Sequence, residues 1–129
     1  MSQVSQDVLE RVARIAHEVN RGVCAAIGDE THVPWDVAPA WQRESVLDGV
    51  RGVLSGALVD AEAQHESWLA RKTAEGWQYG DVKDVVAKRH PACVAWCELS
   101  IGERIKGYLF RTVCLEAFEL LKAGDKRND

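Results

Sequence analysis

The sequence predicts a mainly α-helical domain of the α+β class, a compact four-helix unit with a small two-stranded β element between the third and fourth helices. Apolar residues recur at steps of three and four in four separate segments. That period disappears between Gly76 and Leu99, where Gly, Trp, Tyr and Pro residues concentrate. A chain of 129 residues with 47% hydrophobic content is sufficient for one core, so we expect a single domain.

The first helix is indicated by an apolar stripe from Val8 to Ile27, and Gly28 is placed to end it. The connection "GDETHVPWDVAP" contains two prolines and separates this helix from a second one over residues 40–56. Gly49 and Gly52 lower the helix propensity of the second segment. Their presence suggests close packing of a neighbour against that helix.

The third helix is predicted over residues 57–75, with Val59, Ala63, Trp68 and Leu69 on one face and Gly76 at its end. The segments "GWQYGDV" and "KRHPACVAWCEL" follow, and their glycines, together with Pro91 after His90, predict extended or irregular backbone.

The start of the last helix is indicated by "SIGE", in which Ser100 and Glu103 have the spacing of a capping box. Its apolar face includes Ile101, Ile105 and Leu109 and extends to Gly124, so the helix is predicted to lie in the core or at a dimer seam. Residues 124–129 are predicted to form a frayed polar tail.

Charge and hydropathy exclude several classes of function. The net charge of −4, from 16 basic and 20 acidic residues without a long basic run, disfavours binding to nucleic-acid polymers. Charged residues interrupt the N-terminal segment too often for a signal peptide, and no stretch approaches the roughly 20 apolar residues of a membrane span. The sequence therefore predicts a cytoplasmic protein without a membrane partner, whose four cysteines are reduced.

A series of short motifs in the second half carries a family resemblance. "HESW", Lys72, "GWQYG", Asp84, Lys88, "HP" and Leu99 follow one another in the order and spacing of the ryanodine-receptor repeat, or RyR domain. The motif region extends from Asp60 to Phe110, and the first half resembles the leader of stand-alone bacterial and bacteriophage members. The chain is thus interpreted as one RyR-type domain over residues 1–129, with a helical leader over 1–56 and the repeat proper over 57–123.

The resemblance implies a compact helical fold with a two-stranded element, in a family not known for enzymatic activity. In the channels such repeats occur in tandem pairs with approximate two-fold symmetry, and a nucleotide-like ligand can occupy a pair. A single repeat would need a partner to rebuild this arrangement, so we expect a homodimer.

The predicted ligand site lies in the motif region. Trp77 and Tyr79 would lie on one face of an extended segment and offer a stacking surface. The polar residues expected to select the ligand are Lys72, Lys83, Asp84 and His90. This pattern predicts a non-catalytic module that binds a nucleotide-derived small molecule, such as a signalling nucleotide to be sequestered, without a cofactor. The alternative is a protein-interaction or homo-oligomerisation module without a small-molecule ligand.

Several of these residues also have a structural interpretation. Core packing is favoured for Trp41, Trp68 and Trp77. His65 is expected to anchor its helix through a hydrogen bond, and His90 to lock the loop before Pro91. A zinc site from His90, Cys93 and Cys97 is disfavoured because no second tight Cys/His pair accompanies it. Catalysis is disfavoured because the recognised nucleophile and phosphate-binding motifs are missing from the sequence.

Overall fold

The fold is described by a computed structural model that covers residues 4–127, with side chains up to residue 123. Within these residues four α-helices form: α1 (Gln6–Ala26), α2 (Ala40–Ser55), α3 (Ala61–Ala74) and α4 (Ile101–Arg127). Two short strands, β1 (Gln78–Tyr79) and β2 (Arg89–His90), lie between α3 and α4. The predicted four-helix fold with a two-stranded element is confirmed.

Two predicted helix boundaries were wrong. The third helix begins at Ala61 rather than at residue 57, because Gly56 takes a left-handed conformation with φ 84° and Asp60 caps α3 by accepting the Ala63 N–H at 2.8 Å. Val59 therefore precedes the helix and is exposed. The last helix continues through Gly124 to Arg127, and the remainder of the predicted tail, residues 128–129, lies outside the described residues.

The two strands are parallel, with Gln78 paired to Arg89 and Tyr79 paired to His90. The loop between them turns back on itself through a backbone pair, in which Asp84 and Arg89 exchange N–H···O bonds of 2.9 Å in both directions. This compact hairpin-like turn allows parallel pairing without a crossover helix.

One core joins the predicted leader to the predicted repeat. Its buried residues come from α1, α2, α4 and a single 3₁₀ turn at Trp35–Val37, and they are Val8, Leu9, Val12, Ala13, Ala16, Trp35, Leu47, Val50, Val53 and Cys114. Phe110, Val113 and Phe118 of α4 pack against this cluster. No helix in the described part of the chain is both long and apolar enough to cross a bilayer.

The close packing expected at the two glycines of α2 is confirmed. A Cβ atom on Gly49 would lie 3.1 Å from Cζ of Phe110, and one on Gly52 would lie 2.6 Å from Cδ1 of Leu58. Both glycines thus allow α2 to approach its neighbours.

Some residues expected in the core lie elsewhere. Trp41 is 67% exposed, while Trp68 and Trp77 are half-buried. Ile101 and Ile105 are exposed, and Leu109 is half-buried outside the core cluster. The apolar stripe of α4 is wider than the surface that its neighbours cover, so only its Phe110–Cys114–Phe118 side faces the core.

The structure also contains a repeated anchoring unit. In the first half, His17 Nε2–H donates to the Val33 carbonyl at 2.6 Å, and the Trp35 N–H donates to Glu18 Oε2 at 2.9 Å. In the second half, His65 Nε2–H donates to the Val94 carbonyl at 2.7 Å, and the Trp96 N–H donates to Glu66 Oε1 at 3.3 Å.

The two units share the elements that follow. Each Trp opens a 3₁₀ turn, Trp35–Val37 or Trp96–Glu98, that leads into a helix. Arg43 of α2 lies with its guanidinium 6.0 Å from the Trp35 ring centre, and Arg104 of α4 lies 5.7 Å from that of Trp96. The spacing from Trp to Arg is the same in both halves. The chain thus contains two copies of one arrangement, in which a helix is followed by a loop, a 3₁₀ turn and a second helix. The loop is longer in the second copy.

Candidate functional site

Several residues of the sequence motif hold the loop between α3 and α4. His65 and Glu66 fix Val94 and Trp96 through the hydrogen bonds given above. Because a carbonyl oxygen only accepts, Nε2 of His65 carries the proton. The expected anchoring role of His65 is confirmed, and Lys88 adds a further tie by donating to the Glu75 carbonyl at the end of α3 at 2.7 Å.

A row of neighbouring aromatic rings continues this scaffold from β1 to α4. Consecutive ring centres lie 5.4 to 6.3 Å apart along the row Trp77, His90, Trp68, His65, Trp96 and Tyr108. Such edge and offset contacts each contribute about 0.5 to 1.5 kcal/mol beyond burial. The row ties the strand segment to both helices.

His90 locks the loop as expected, since its Nδ1 accepts the Ala92 N–H at 2.9 Å just after Pro91. Burial, and then the positive charges of Lys106 and Lys83, lower the pKa of His90 to about 4. The ring is therefore neutral at pH 7, with its proton on Nε2.

Three of the six predicted ligand residues meet in the structure. Nζ of Lys72 lies 5.4 Å from the Trp77 ring centre and 5.9 Å from that of Trp41, and the Trp77 ring is 6.3 Å from His90. The Lys72 side chain is mostly buried and pairs with Glu75 at 3.4 Å. Its charge is thus already held by two rings and a carboxylate.

The other three predicted residues point to separate places. The Tyr79 hydroxyl donates to Asp81 at 2.5 Å, and Tyr79 lines a pocket near Pro91. Lys83 pairs with Asp29 at 2.9 Å, and Asp84 accepts the Ala87 N–H at 3.0 Å within its own turn. Trp77 and Tyr79 have different neighbours, so the six residues do not line one common pocket.

A cavity with many more lining residues lies between α2, α3, α4 and the loop before α4. Its volume is about 260 Å³. The large apolar side chains in its lining are Val46, Leu58, Trp68, Trp96, Leu99 and Phe110. The polar side chains are Asn20, Ser45, Asp48, Gln64, His65, Ser67, Arg71, Glu103 and Lys106.

Two cations occupy different parts of this lining. Arg71, with 39% of its side chain exposed, donates to Ser45 Oγ at 3.0 Å and lies 3.4 Å from Asp48 Oδ2. Lys106 is largely buried and pairs with Glu103 at 2.6 Å. The cavity can therefore offer an exposed and a buried positive group, each in reach of a carboxylate that balances it.

Gln64 contributes a third polar feature. Its Nε2 donates to the Gly107 carbonyl at 3.2 Å, while its Oε1 is buried without a hydrogen-bond partner. A buried acceptor without a partner costs about 1 to 3 kcal/mol, which a hydrogen-bond donor on a ligand in the cavity would offset.

Sequence reasoning missed this cavity because its lining comes from helices that are distant in the chain. One signal was available: Gln64, Trp68 and Arg71 are spaced by four and three residues, so they share a face of α3. The disfavoured zinc ligands His90, Cys93 and Cys97 do not converge on one point among the described residues.

A family model described as RyR domain matches residues 57–123, which are 67 of the 129 residues. The matched segment begins in the turn before α3, includes both strands and ends within α4. It thus contains the second copy of the anchoring unit, while α1 and α2 with the first copy lie outside it.

Proposed function

The chain belongs to the RyR domain family, and from that premise we propose that it is a non-catalytic module that binds a nucleotide-derived small molecule in the cavity between α2, α3 and α4. The observation that carries this proposal is the combination of aromatic walls with two cations in one cavity. Ligand sites are typically apolar clefts with a few polar groups that fix orientation.

The size of the cavity limits the buried part of the ligand. At about 260 Å³ it is slightly below the range of roughly 300 to 1,000 Å³ for sites that enclose drug-sized ligands. A base or a nucleoside is therefore the part that we expect to be enclosed, while phosphates extend toward the exposed side chain of Arg71.

Stacking and charge supply the affinity on this proposal. Contact of a base with an indole ring, Trp68 or Trp96, contributes about 1 to 3 kcal/mol. A guanidinium bound to phosphate adds a charge-assisted pair, for which Arg71 exchanges its long contact with Asp48. The anchoring network around both Trp residues preorganises the walls, which reduces the entropic cost of binding.

We expect Arg71→Gln to weaken nucleotide binding about tenfold, as the loss of one charge-assisted phosphate contact implies. Isothermal titration of the intact chain with mono-, di- and cyclic nucleotides measures this effect. Arg51→Gln is the matched control, because Arg51 also pairs with Asp48, at 3.0 Å, but does not line the cavity. Equal losses in both variants would contradict a direct role for Arg71.

The same proposal extends to the biological setting. Binding without turnover suits sequestration of a signalling nucleotide. The resemblance of the first half to the leader of bacteriophage members supports a place in the cytoplasm of an infected host cell. Catalysis is not part of this proposal, because the cavity residues are proposed only to bind and orient the nucleotide, and no nucleophile is assigned.

A second candidate function, homo-oligomerisation, is favoured by the outer face of α4. Ile101, Ile105, Tyr108 and Leu115 are exposed and follow a spacing of four, three and seven residues, which is typical of a helix-packing seam. The internal pair of anchoring units weakens the earlier reason for a dimer, since one chain already contains two copies. The exposed seam is the remaining support.

If the chain forms a homodimer, we expect a dimeric mass by light scattering at micromolar concentration. Ile105→Glu should convert the dimer to a monomer, because its charge would be buried at the centre of the seam without a partner. Val86→Glu, at a 97% exposed loop position away from α4, should leave the mass unchanged. A strictly monomeric natural chain would rule out the homodimer.

A further inference from the structure

A second polar cluster lies outside the cavity, at the C-terminal end of α1. Sγ of Cys24, a carboxylate oxygen of Asp29 and a ring nitrogen of His32 all lie within 4.8 Å of one another. Cys24 is buried, and the side chains of Asp29 and His32 are only 18% and 19% exposed. Three different donor types thus converge from one nine-residue segment.

Local backbone structure holds this segment in place. Gly28 has φ 100°, which allows the chain to reverse after α1, and the Asp29 N–H donates to the Cys24 carbonyl at 2.8 Å. The Thr31 N–H and hydroxyl both donate to Asp29 Oδ1, at 3.0 and 2.6 Å. Because Oδ1 is occupied by Thr31, Oδ2 is the oxygen directed toward His32, at 3.4 Å from Nε2.

A positive group already lies at the centre of the acceptors. Nζ of Lys83 is 2.9 Å from Asp29 Oδ2, 2.9 Å from Thr31 Oγ1 and 3.4 Å from His32 Nε2. Lys83 belongs to the loop between β1 and β2, and its neighbour Val82 is 78% exposed. The Lys83 side chain is itself 18% exposed, and Lys83 is not a member of the core cluster, so its departure removes no core residue.

We propose that Cys24, Asp29 and His32 form a binding site for a zinc-class divalent ion, which enters in exchange for the ammonium group of Lys83. A thiolate, an imidazole nitrogen and a carboxylate oxygen are the ligands that zinc accepts in a tetrahedral site, and three protein ligands leave one position open. The sulfur and nitrogen donors favour zinc-class ions over Mg²⁺ and Ca²⁺, which prefer oxygen.

The exchange keeps charge in balance. The entering M²⁺ replaces the single positive charge of Lys83, and the Cys24 thiol releases one proton to solvent as it becomes the thiolate ligand. Lys83 then extends into solvent with its charge intact. The ion must compete with the lysine, so removal of the lysine charge strengthens binding.

Titration of the intact, reduced chain with Co²⁺, a spectroscopic substitute for zinc, tests the proposal. We expect one equivalent to bind with a sulfur-to-cobalt charge-transfer band and tetrahedral d–d bands, and we expect Zn²⁺ to displace it. Lys83→Met should bind Co²⁺ about tenfold more tightly, the equivalent of one charged hydrogen bond that no longer has to be broken.

The ligand variants identify the sulfur. Cys24→Ser should lose the charge-transfer band. His32→Gln changes a partly exposed residue and should weaken Co²⁺ binding, so it tests the site even if the buried Cys24 variant does not fold. Cys97→Ser is the matched control, because Cys97 is exposed and distant in sequence, and it should retain the band. The proposal is overturned if the natural chain shows no charge-transfer band, even if Lys83→Met does bind Co²⁺. It is also overturned if Cys97→Ser abolishes the band.

Discussion

Replacing Leu47 with alanine is expected to lower the free energy of unfolding by about 2 to 5 kcal/mol. Leu47 is 4% exposed and lies in the core cluster with residues of α1 and α4, so truncation leaves a cavity that rigid helices cannot close. Urea denaturation followed by far-ultraviolet circular dichroism measures the change, provided that the m-value stays constant.

Leu109→Ala is the matched control for this prediction. Leu109 was predicted on the buried face of the last helix, but it is half-buried and lies outside the core cluster. We therefore expect a smaller loss, of about 1 kcal/mol. Equal losses for the two leucines would mean that the core extends to the Leu109 side of α4.

Lowering the pH from 6.5 to 4 is expected to reduce the free energy of unfolding by up to about 3 kcal/mol through His90 alone. The pKa of His90 is lowered from 6.5 to about 4 in the folded chain, chiefly by burial. The unfolded chain therefore binds a proton near pH 6.5 that the folded chain does not bind until about pH 4. Between these values stability falls with each step toward acid, and above pH 6.5 this contribution is constant.

The His90→Asn variant isolates that contribution. The Asn side-chain oxygen can replace Nδ1 as acceptor of the Ala92 N–H, so the loop retains its hydrogen bond while the titrating group is removed. Urea denaturation at several pH values should give a flatter profile for the variant than for the natural chain between pH 6.5 and 4. Parallel profiles would show that His90 does not remain neutral in the folded state.

Burial also lowers the pKa of His32 to about 4, so His32 acts in the same direction over the same pH range, and Asp29 acts at lower pH. Burial alone would raise the pKa of Asp29, but hydrogen bonds from Thr31 and Lys83 outweigh it and hold that pKa well below its usual range. Its contribution is present above the unfolded pKa near 3.8 and is lost as the pH falls below that value. Comparison of the natural chain with His90→Asn removes this shared background.

The helices were predictable because their signals are local. The apolar period, Gly28 and the Ser100 cap all act within one or two turns, and the Glu103 N–H indeed donates to Ser100 Oγ at 3.3 Å. The start of α3 was misplaced, because the helix was predicted from residue 57 and the structure begins it after the cap at Asp60. The outer residues of α4 were misplaced because a stripe of apolar residues does not reveal how much of it a neighbour will cover.

The candidate site was less predictable than the helices because it depends on tertiary packing. His65 was correctly expected to make an anchoring hydrogen bond and His90 to lock the loop, and each bonds to backbone of the loop before α4. The cavity depends on how α2, α3 and α4 pack, and the repeated anchoring unit became visible only through its hydrogen bonds. Because the two copies differ in loop length, from Glu18 to Trp35 and from Glu66 to Trp96, they have no common sequence period.

The indole N–H signals of the five Trp residues test the central claim most directly, because only Trp68 and Trp96 line the cavity. In ¹H–¹⁵N correlation spectra of the intact chain, each signal can be assigned by a Trp→Phe substitution. Addition of a nucleotide from the titration panel is predicted to shift the signals of Trp68 and Trp96 strongly and those of Trp35 and Trp41 little. A dominant shift of the Trp77 signal would place the ligand at the residues predicted from the sequence instead. Unchanged signals across the nucleotide panel would contradict nucleotide binding in this cavity.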